Sequence, residues 1–217
     1  MGAAMASIKF YTSVLSAQQE KLLQKLAPFM KQNNFYLGGG TAIALFLGHR
    51  QSADLDWFSP DEVSDPQSWV EKIKVEGIRL QSLSIDKGTL HATARKIPVS
   101  LLEYRYPLLR PLIEWRRMGC TLASLDDLAC MKLSAVAQRG SKKDFIDIYA
   151  LLKKHRSLKQ LLRLYQKKFN GADIAPVLYG LNYFDDAEKQ RMPRMVWSVT
   201  WEEIKKTILG AVKRSLL

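Results

Sequence analysis

The chain has 217 residues and a formal net charge of +12, and 47% of its residues are hydrophobic and 25% charged. This composition is that of a globular protein and excludes a disordered chain. No apolar run approaches the roughly 18 residues of a membrane span, and the two cysteines and three histidines argue against a disulfide framework or a zinc site.

The first half of the chain predicts helices that alternate with short strands. Ser16 and Gln19 have the spacing of a capping box, which predicts an amphipathic helix over residues 16–30. A β-prone run at residues 35–37 ends in three glycines and Thr41, and residues 42–47 predict a second helix. Residues 54–58 alternate charged and apolar side chains as strands do. A helix is predicted within residues 61–77, and strands at 78–85, 89–94 and 97–104.

The second half predicts helices only. Ser124 and Asp127 form a helix-start signal, further helices are predicted at residues 144–154 and 158–169, and Thr200 begins a last helix that ends near residue 214. The sequence therefore predicts an α+β fold. We expect a small mixed β-sheet core with helices over residues 1–118, followed by a helical C-terminal subdomain over residues 119–217.

The charge balance indicates the class of partner. Lys and Arg number 33 against 21 Asp and Glu, which favours polyanions such as RNA, DNA or nucleotide phosphates. A solvated surface that happens to be basic is the alternative, because many of these side chains fall on predicted helix faces. The N-terminus lacks the apolar core of a secretory signal, so we expect a soluble, cytoplasmic protein without a membrane association.

One group of residues has the chemistry of a phosphate site. Gly39, Gly40 and Thr41 lie between a predicted strand and a helix, where backbone N–H groups can approach phosphate oxygens. Asp54 and Asp56 lie two apart on a predicted strand and so project from one face. Adjacent carboxylates repel each other unless a cation lies between them, and Mg²⁺ bridging nucleotide phosphates is their natural partner.

Each of these features alone has an ordinary explanation. A glycine triplet is usually a turn, and two alternating aspartates usually form a solvated strand edge. Their order along the chain, however, is strand, glycines, helix, strand. Metal-assisted displacement at phosphorus needs a phosphate cradle, a carboxylate pair and a hard cation, so the combination favours a catalytic role.

Further motifs extend the pattern along the chain. Residues 39–45, 49–52 and 54–58 read GGTAIAL, HRQS and DLDWF, and two more motifs follow at residues 122–133 and 139–149. Together they resemble the AbiEii/AbiGii-type nucleotidyltransferases. This family belongs to the polymerase-β-like nucleotidyltransferase superfamily and includes toxins of toxin–antitoxin and phage-defence systems. The resemblance spans about residues 22–169.

The resemblance implies a Mg²⁺-dependent enzyme that moves a nucleoside monophosphate from an NTP to an acceptor. The expected acceptor is RNA, such as the 3′ end of a tRNA, and an antitoxin protein is a candidate partner. The implied catalytic residues are Asp54, Asp56, Lys132 and Asp144, with Asp54 and Asp56 as the metal ligands. The implied nucleotide-binding residues are Gly39, Gly40, Thr41, Arg50, Ser52, Arg139 and Asp147.

The downstream residues also have ordinary explanations. Asp144 and Asp147 lie three apart at a predicted helix start, where negative charge suits the helix dipole. By the resemblance, Asp144 would orient Lys132 or the substrate, and Lys132 would point into the cleft from the edge of its helix's packing face. If the acceptor is RNA, the basic side chains must gather around this cleft. The cations that flank the site in sequence are Arg139, Lys142 and Lys143.

The sequence departs from the superfamily at one position. Those enzymes present a third carboxylate on a neighbouring strand, where this chain has Ser100. Glu103 is three residues further along the same predicted strand, so its side chain is expected on the opposite face. Without a third acid, the attacking hydroxyl loses its most obvious general base. Two alternatives therefore stay open: a nucleotide- or RNA-binding protein of the same fold with weak or lost catalysis, or a transferase that acts on a protein or small molecule. We expect His91 to be a structural or surface residue.

Overall fold

The computed structural model describes residues 8–63 and 65–216, and within them seven strands form one mixed sheet. In chain order, β1 to β7 are Tyr36–Leu37, Leu55–Ser59, Gln81–Asp86, Thr89–Ala94, Ile97–Glu103, Ile113–Trp115 and Cys120–Leu122. The order across the sheet is β3-β4-β5-β2-β1-β7-β6. Strand β2 runs parallel to β5 and antiparallel to β1, and β1 runs parallel to β7. The remaining neighbours are antiparallel.

The described residues also form nine α-helices. In chain order, α1 to α9 are Ala17–Gln32, Gly39–Leu47, Pro66–Val75, Leu125–Gln138, Lys142–Lys154, Leu158–Lys168, Ala175–Asn182, Asp185–Glu188 and Trp201–Ser215. Two short 3₁₀ segments cover Thr12–Val14 and Arg116–Met118. No helix in the described part of the chain combines the length and the hydropathy that crossing a membrane requires.

Local side-chain bonds set where the main helices begin. At α1 the Ser16 hydroxyl accepts from the Gln19 N–H at 3.2 Å, and the Gln19 side chain accepts from the Ser16 N–H at 2.9 Å. At α4 the Ser124 hydroxyl accepts from the Asp127 N–H at 3.1 Å. These are the caps that the sequence predicts, and each satisfies backbone donors that a helix start leaves free.

The core holds the site's elements in place. Strand β2 buries Leu55 and Trp57, while Asp56 and Phe58 alternate to the other face and are half-buried. Helix α4 packs against α2, α5, α6 and α7, and α5 also packs against α2. This packing brings the residues of α4 and α5 to the N-terminus of α2, next to β2.

The predicted α+β fold, a mixed sheet followed by a helical half, is confirmed. The sequence missed β6 and β7, because three residues are too few to show a strand period. Strand β7 lies beyond the expected boundary at residue 118 and pairs with β1, so the segment after residue 118 adds a strand to the sheet. The boundary itself stays a prediction.

Candidate active site

The glycine turn, which consists of Gly38 after β1 and of Gly39 and Gly40 at the start of α2, lies in direct contact with charged side chains. Gly39 has a left-handed φ of +63°, and a Cβ at this position would collide with the carboxylate of Asp56. A Cβ at Gly40 would collide with the guanidinium of Arg50. Both glycines are therefore needed for the close approach of these two side chains to the start of α2.

Asp54 and Asp56 face one cavity of about 500 Å³, which Gly40 and Lys132 also line. The Asp54 side chain is 41% exposed. Burial raises the pKa of Asp56, the negative charge of Asp54 adds to this rise, and the Ser100 hydroxyl opposes it. Ionising Asp56 therefore becomes easier when a cation is bound.

This donor set fits Mg²⁺. The ion is commonly held by one or two carboxylates together with substrate phosphate oxygens, and two carboxylates here face an open cavity. Within residues 8–63 and 65–216, no group of three or more His, Cys, Asp or Glu side chains forms an all-protein metal cluster. A bound Mg²⁺ would therefore need further oxygen ligands, from substrate phosphates or water.

The hydroxyls of Thr41 and Ser52 support the segment that carries Asp54. Thr41 Oγ1 donates to the Asp54 carbonyl and lies 2.6 Å from Ser52 Oγ. The Ser52 carbonyl in turn accepts from Gln19 Nε2 at 2.8 Å. Both hydroxyls are buried although their residues line the cavity, so their nucleotide contacts stay predictions.

Asp147 is the centre of a buried ion cluster, and its side chain is 0% exposed. Arg50 donates to its two oxygens from Nε at 2.7 Å and Nη2 at 2.9 Å, and His49 donates from Nε2 at 2.8 Å. Burial opposes ionisation of Asp147, but Arg50 and Lys132 outweigh it and hold the pKa well below its ordinary value. Arg50 is thus fully engaged inside the protein.

Burial favours the neutral form of His49 in this cluster. Burial lowers the pKa of His49 against the opposing effect of Asp147. Because a carboxylate only accepts, the His49 proton must be on Nε2. Its Nδ1 is buried and has no hydrogen-bond partner among the described residues.

The ammonium of Lys132 lies between two carboxylates. Its Nζ is 2.8 Å from Asp144 Oδ1 and 2.9 Å from Asp147 Oδ2, and its side chain is 9% exposed. Burial alone would lower the pKa of Lys132, but Asp147 and Asp144 raise it, so the side chain stays charged. Lys132 therefore faces the cavity of Asp56 as a fixed positive charge.

Asp144 connects Lys132 to an accessible arginine. It accepts from Arg139 Nε at 2.9 Å and from Ser141 Oγ at 2.6 Å. Burial opposes its ionisation, but Lys132 and Arg139 outweigh this and lower the pKa of Asp144. The Arg139 side chain remains 66% exposed and lines the cavity.

The two lysines at the start of α5 point in different directions. Lys143 is exposed, and its Nζ lies 3.8 Å from Asp54 Oδ2. Lys142 is buried, donates to the Glu188 carbonyl at 3.3 Å and lies over the Trp201 ring at 4.8 Å. The expectation that Lys142 flanks the cleft is therefore wrong, because neighbouring helix positions differ in direction by about 100°.

Ser100 has a second partner that sequence reasoning missed. Strand register puts Ser100 opposite Asp56 on β2 and opposite His91 on β4, and His91 Nδ1 lies 3.1 Å from Ser100 Oγ. Glu103 instead accepts from the Val63 N–H at 3.0 Å, so it does not replace the third acid. Only the register of the hairpin could have shown that His91 belongs to this group.

A second cavity, of about 440 Å³, adjoins the first and shares Gly40, Asp56, Lys132 and Arg139 with it. Its aromatic lining residues are Phe58, Tyr104, Tyr106 and Phe169. Flat aromatic rings can stack on nucleobases. These rings come from three segments separated by 46 residues or more along the chain, and no sequence spacing indicates that they meet.

The chain is similar in sequence to a known family and to a protein from another organism. The AbiEii family model, "Nucleotidyl transferase AbiEii toxin, Type IV TA system", matches residues 21–214. The uncharacterised Aquifex aeolicus protein aq_aa25 is 37% identical over 204 residues, which cover 93% of this chain and 98% of that protein.

Two solved structures from Helicobacter pylori are similar in fold. JHP933 has 18% identity and a TM-score of 0.52, and covers 93% of this chain and 95% of its own. A protein provisionally assigned as a nucleotidyltransferase has 16% identity and a TM-score of 0.53, and covers 93% of this chain and 97% of its own. At these identities the likeness concerns the fold alone.

Proposed function

Because the chain belongs to the AbiEii nucleotidyl transferase toxin family, and is therefore a nucleotidyltransferase, we propose that it transfers a nucleoside monophosphate from an NTP to RNA in a Mg²⁺-dependent reaction. One observation carries the proposal: Asp54, Asp56 and Lys132 line a single cavity with the glycine turn. Nucleotidyl transfer depends on such a combination of metal-binding carboxylates, backbone donors and a fixed cation.

Each part has a separate role in the proposed reaction. Asp54 and Asp56 would hold Mg²⁺, which when bound neutralises phosphate charge and orients the reacting oxygens. The N–H groups of Gly39 and Gly40, in the first turn of α2, donate to phosphate oxygens. Lys132 places positive charge where the leaving pyrophosphate develops negative charge, and its two carboxylate partners keep it in position.

The surroundings support the choice of donor and acceptor. The aromatic cavity next to Asp56 has the flat, partly polar walls that suit a nucleobase. Exposed Arg139 and Lys143 border the carboxylates, and the net charge of +12 favours a polyanionic acceptor over a cationic small molecule. The toxin–antitoxin context of the family extends the proposal to a cognate antitoxin and a cytoplasmic location.

One observation favours a second candidate function. Ser100, not an acid, lies beside Asp56, so the acceptor hydroxyl has no third carboxylate to remove its proton. A protein of the same fold that binds nucleotide or RNA with weak or lost catalysis is therefore the alternative. Nucleotide binding without turnover would support it.

Label transfer separates the two candidates. The wild-type protein is incubated with each α-labelled NTP, Mg²⁺ and total RNA, and labelled RNA is the expected product. Asp56→Asn should fold, because the Asp56 carbonyl that accepts from the Gly38 N–H is unchanged, yet it should lose transfer. Asp86→Asn, an exposed change on β3, is the matched control. Undiminished transfer by Asp56→Asn would contradict the proposal.

A further inference from the structure

A groove leads away from Asp54 along the surface of the protein. The cavity that holds Asp54 shares Ser52 and Lys143 with a neighbouring hollow of about 480 Å³. This hollow shares Gln18 and Lys96 with a third, of about 450 Å³. Shared walls mean that the three hollows adjoin, and we call them together the basic groove.

Six exposed cations line the basic groove. They are Lys21, Arg95, Lys96, Lys143, Arg191 and Arg194. Among the described residues, only Lys143 of the six lies within ion-pair distance of an acid, at 3.8 Å from Asp54. No described Asp or Glu lines the two outer hollows. Lys31, by contrast, lies outside the groove and pairs with Glu114 at 2.8 Å.

Like charges in a row repel one another unless an anion neutralises them, so this surface suits a ligand with repeated negative charges. The Gln51 N–H donates to the Arg194 carbonyl at 2.8 Å, which fixes the backbone of one of these cations beside the groove. The neutral lining residues include Gln18 and Gln51, whose side-chain amides can also donate to phosphate or sugar oxygens.

The far end of the groove shows an unusual backbone. Arg95 and Lys96 form the two-residue turn between β4 and β5, with φ of +52° and +67°. Two positive φ angles in such a hairpin are typical of a type I′ turn, which strongly favours Asn-Gly. Long L side chains are strained there, and residues held in such conformations cluster at functional sites. Arg95 and Lys96 therefore occupy a turn that Asn and Gly would stabilise more.

We propose that the basic groove binds the phosphate backbone of the RNA acceptor strand, with Arg95 and Lys96 as its distal contacts and the strand's terminal hydroxyl at Asp54 and Asp56. This inference rests on the proposed function for the identity of the acceptor. No aromatic residue lines the two outer hollows in the described part of the chain. The contacts there are therefore to phosphates and independent of base sequence.

The test replaces the strained turn by its favoured sequence, in the double variant Arg95→Asn with Lys96→Gly. The melting temperature should rise, because both residues tolerate the turn, whereas affinity for a short fluorescein-labelled RNA oligonucleotide should fall about tenfold. The log–log salt slope should become shallower by about 1.4, since each phosphate contact on a single strand contributes about 0.7. A merely structural turn would change only the melting temperature.

The matched control is Lys213→Gln with Arg214→Gln, which removes the same charge from the exposed end of α9. It should bind RNA as the wild type does, since neither residue lines the groove. Equal affinity of the turn variant and the wild type, or equal weakening in both double variants, would overturn the proposal. A lower melting temperature of the turn variant would also overturn it. A fluorescein-labelled polyglutamate peptide is the second polyanionic probe, and a loss of affinity for this peptide without a loss of affinity for RNA would overturn the proposal as well.

The binding assay contains neither NTP nor Mg²⁺, so its outcome is separate from that of the label-transfer assay. Transfer by the wild type together with unaltered RNA affinity of the turn variant would reject the groove and leave the proposed function intact. Groove-dependent RNA binding by a wild-type protein that transfers no label would support the groove and reject the transfer.

Discussion

Ser100 lies directly beside Asp56 across the paired strands β5 and β2, at the position where the resemblance in sequence implies a third carboxylate. Burial raises the pKa of Asp56, and the hydrogen bond with the Ser100 hydroxyl offsets part of this rise. His91 continues the chain on the next strand, with Nδ1 at 3.1 Å from Ser100 Oγ. The neighbour of Asp56 on β5 is therefore a neutral hydroxyl, which in turn contacts the His91 ring.

Introducing the third acid tests how the site handles charge. Ser100→Asp places a further carboxylate beside Asp56, and like charges repel when no cation is bound. The melting temperature without Mg²⁺ should fall by about 3 °C for each kcal/mol of repulsion. Added Mg²⁺ should restore more stability to this variant than to the wild type, as thermal denaturation with and without MgCl₂ would show.

The control adds the same charge elsewhere on the sheet. Ser84→Asp lies on the exposed edge strand β3, opposite His91 and two strands further from Asp56 than Ser100 is. Mg²⁺ should stabilise it no more than the wild type. An equal Mg²⁺ response of the two variants would contradict a metal site at Asp54 and Asp56.

Lys132 should be needed for both transfer and stability. A lysine at the edge of a helix could be removed with little change in melting temperature, but this ammonium is buried between Asp144 and Asp147. Lys132→Met leaves both carboxylates short of a partner, which typically costs about 3–5 kcal/mol. Transfer should fall by about 100-fold or more, the usual effect of removing one transition-state donor. Urea denaturation and label transfer measure the two losses.

A second substitution separates the two effects. Lys132→Met combined with Asp144→Asn removes one of the unpaired charges, so stability should return part of the way to the wild-type value. Transfer should stay lost, because the cation facing Asp56 is still missing. Wild-type stability of Lys132→Met would contradict the buried ion pairs, and wild-type transfer would remove Lys132 from the proposed site.

Asp147 should make stability depend on pH in the acid range. Its pKa in the folded protein lies well below the ordinary value, despite burial, because Arg50 and Lys132 favour the charged form. A depressed carboxylate pKa contributes stability that is complete above the unfolded pKa of about 3.9 and is lost as the pH falls towards the folded value. The free energy of unfolding of Asp147→Asn should therefore be about 3–5 kcal/mol lower than wild type at about pH 7. This difference should shrink below about pH 4.

Urea denaturation across that pH range measures the difference. Asp86→Asn, exposed on β3, should match the wild type throughout. A constant difference between Asp147→Asn and the wild type down to about pH 3 would show that cavity or packing effects, and not ionisation, explain its instability.

The structural features that could be predicted from the sequence are those that depend on residues close together in the chain. The Ser16 and Ser124 caps, the alternation of buried and half-buried residues along β2, and the glycines at the start of α2 each depend on a few adjacent positions, and the structure has all of them. The predicted strand began one residue too early: β2 begins at Leu55, so Asp56 lies on the strand and Asp54 precedes it. His49 and Arg50 meet Asp147 across almost a hundred residues, and no local period indicates such a meeting. Tertiary packing alone decides which polar side chains become buried partners.

The same limit applies to single residues on helices. Lys142 and Lys143 are identical in type and adjacent in sequence, yet one is buried over Trp201 and the other is exposed beside Asp54. Periodicity predicts which face of a helix is buried, but not which long polar side chain enters that face and finds a carbonyl there. The basic residues near the site could therefore be counted from the sequence but not assigned to the cleft.

The contact between Gly39 and Asp56 can be tested against a matched glycine. Gly39→Ala and Gly171→Ala both put a Cβ on a left-handed backbone, at φ of +63° and +79°, which costs about 1–2 kcal/mol. At Gly171 nothing lies within 4 Å of the added Cβ, whereas at Gly39 it would collide with the Asp56 carboxylate. Both variants should lose similar backbone stability, but only Gly39→Ala should displace Asp56 and lose Mg²⁺-dependent transfer. Equal transfer by the two variants would mean that the position of Asp56 against the glycine turn does not matter for the reaction.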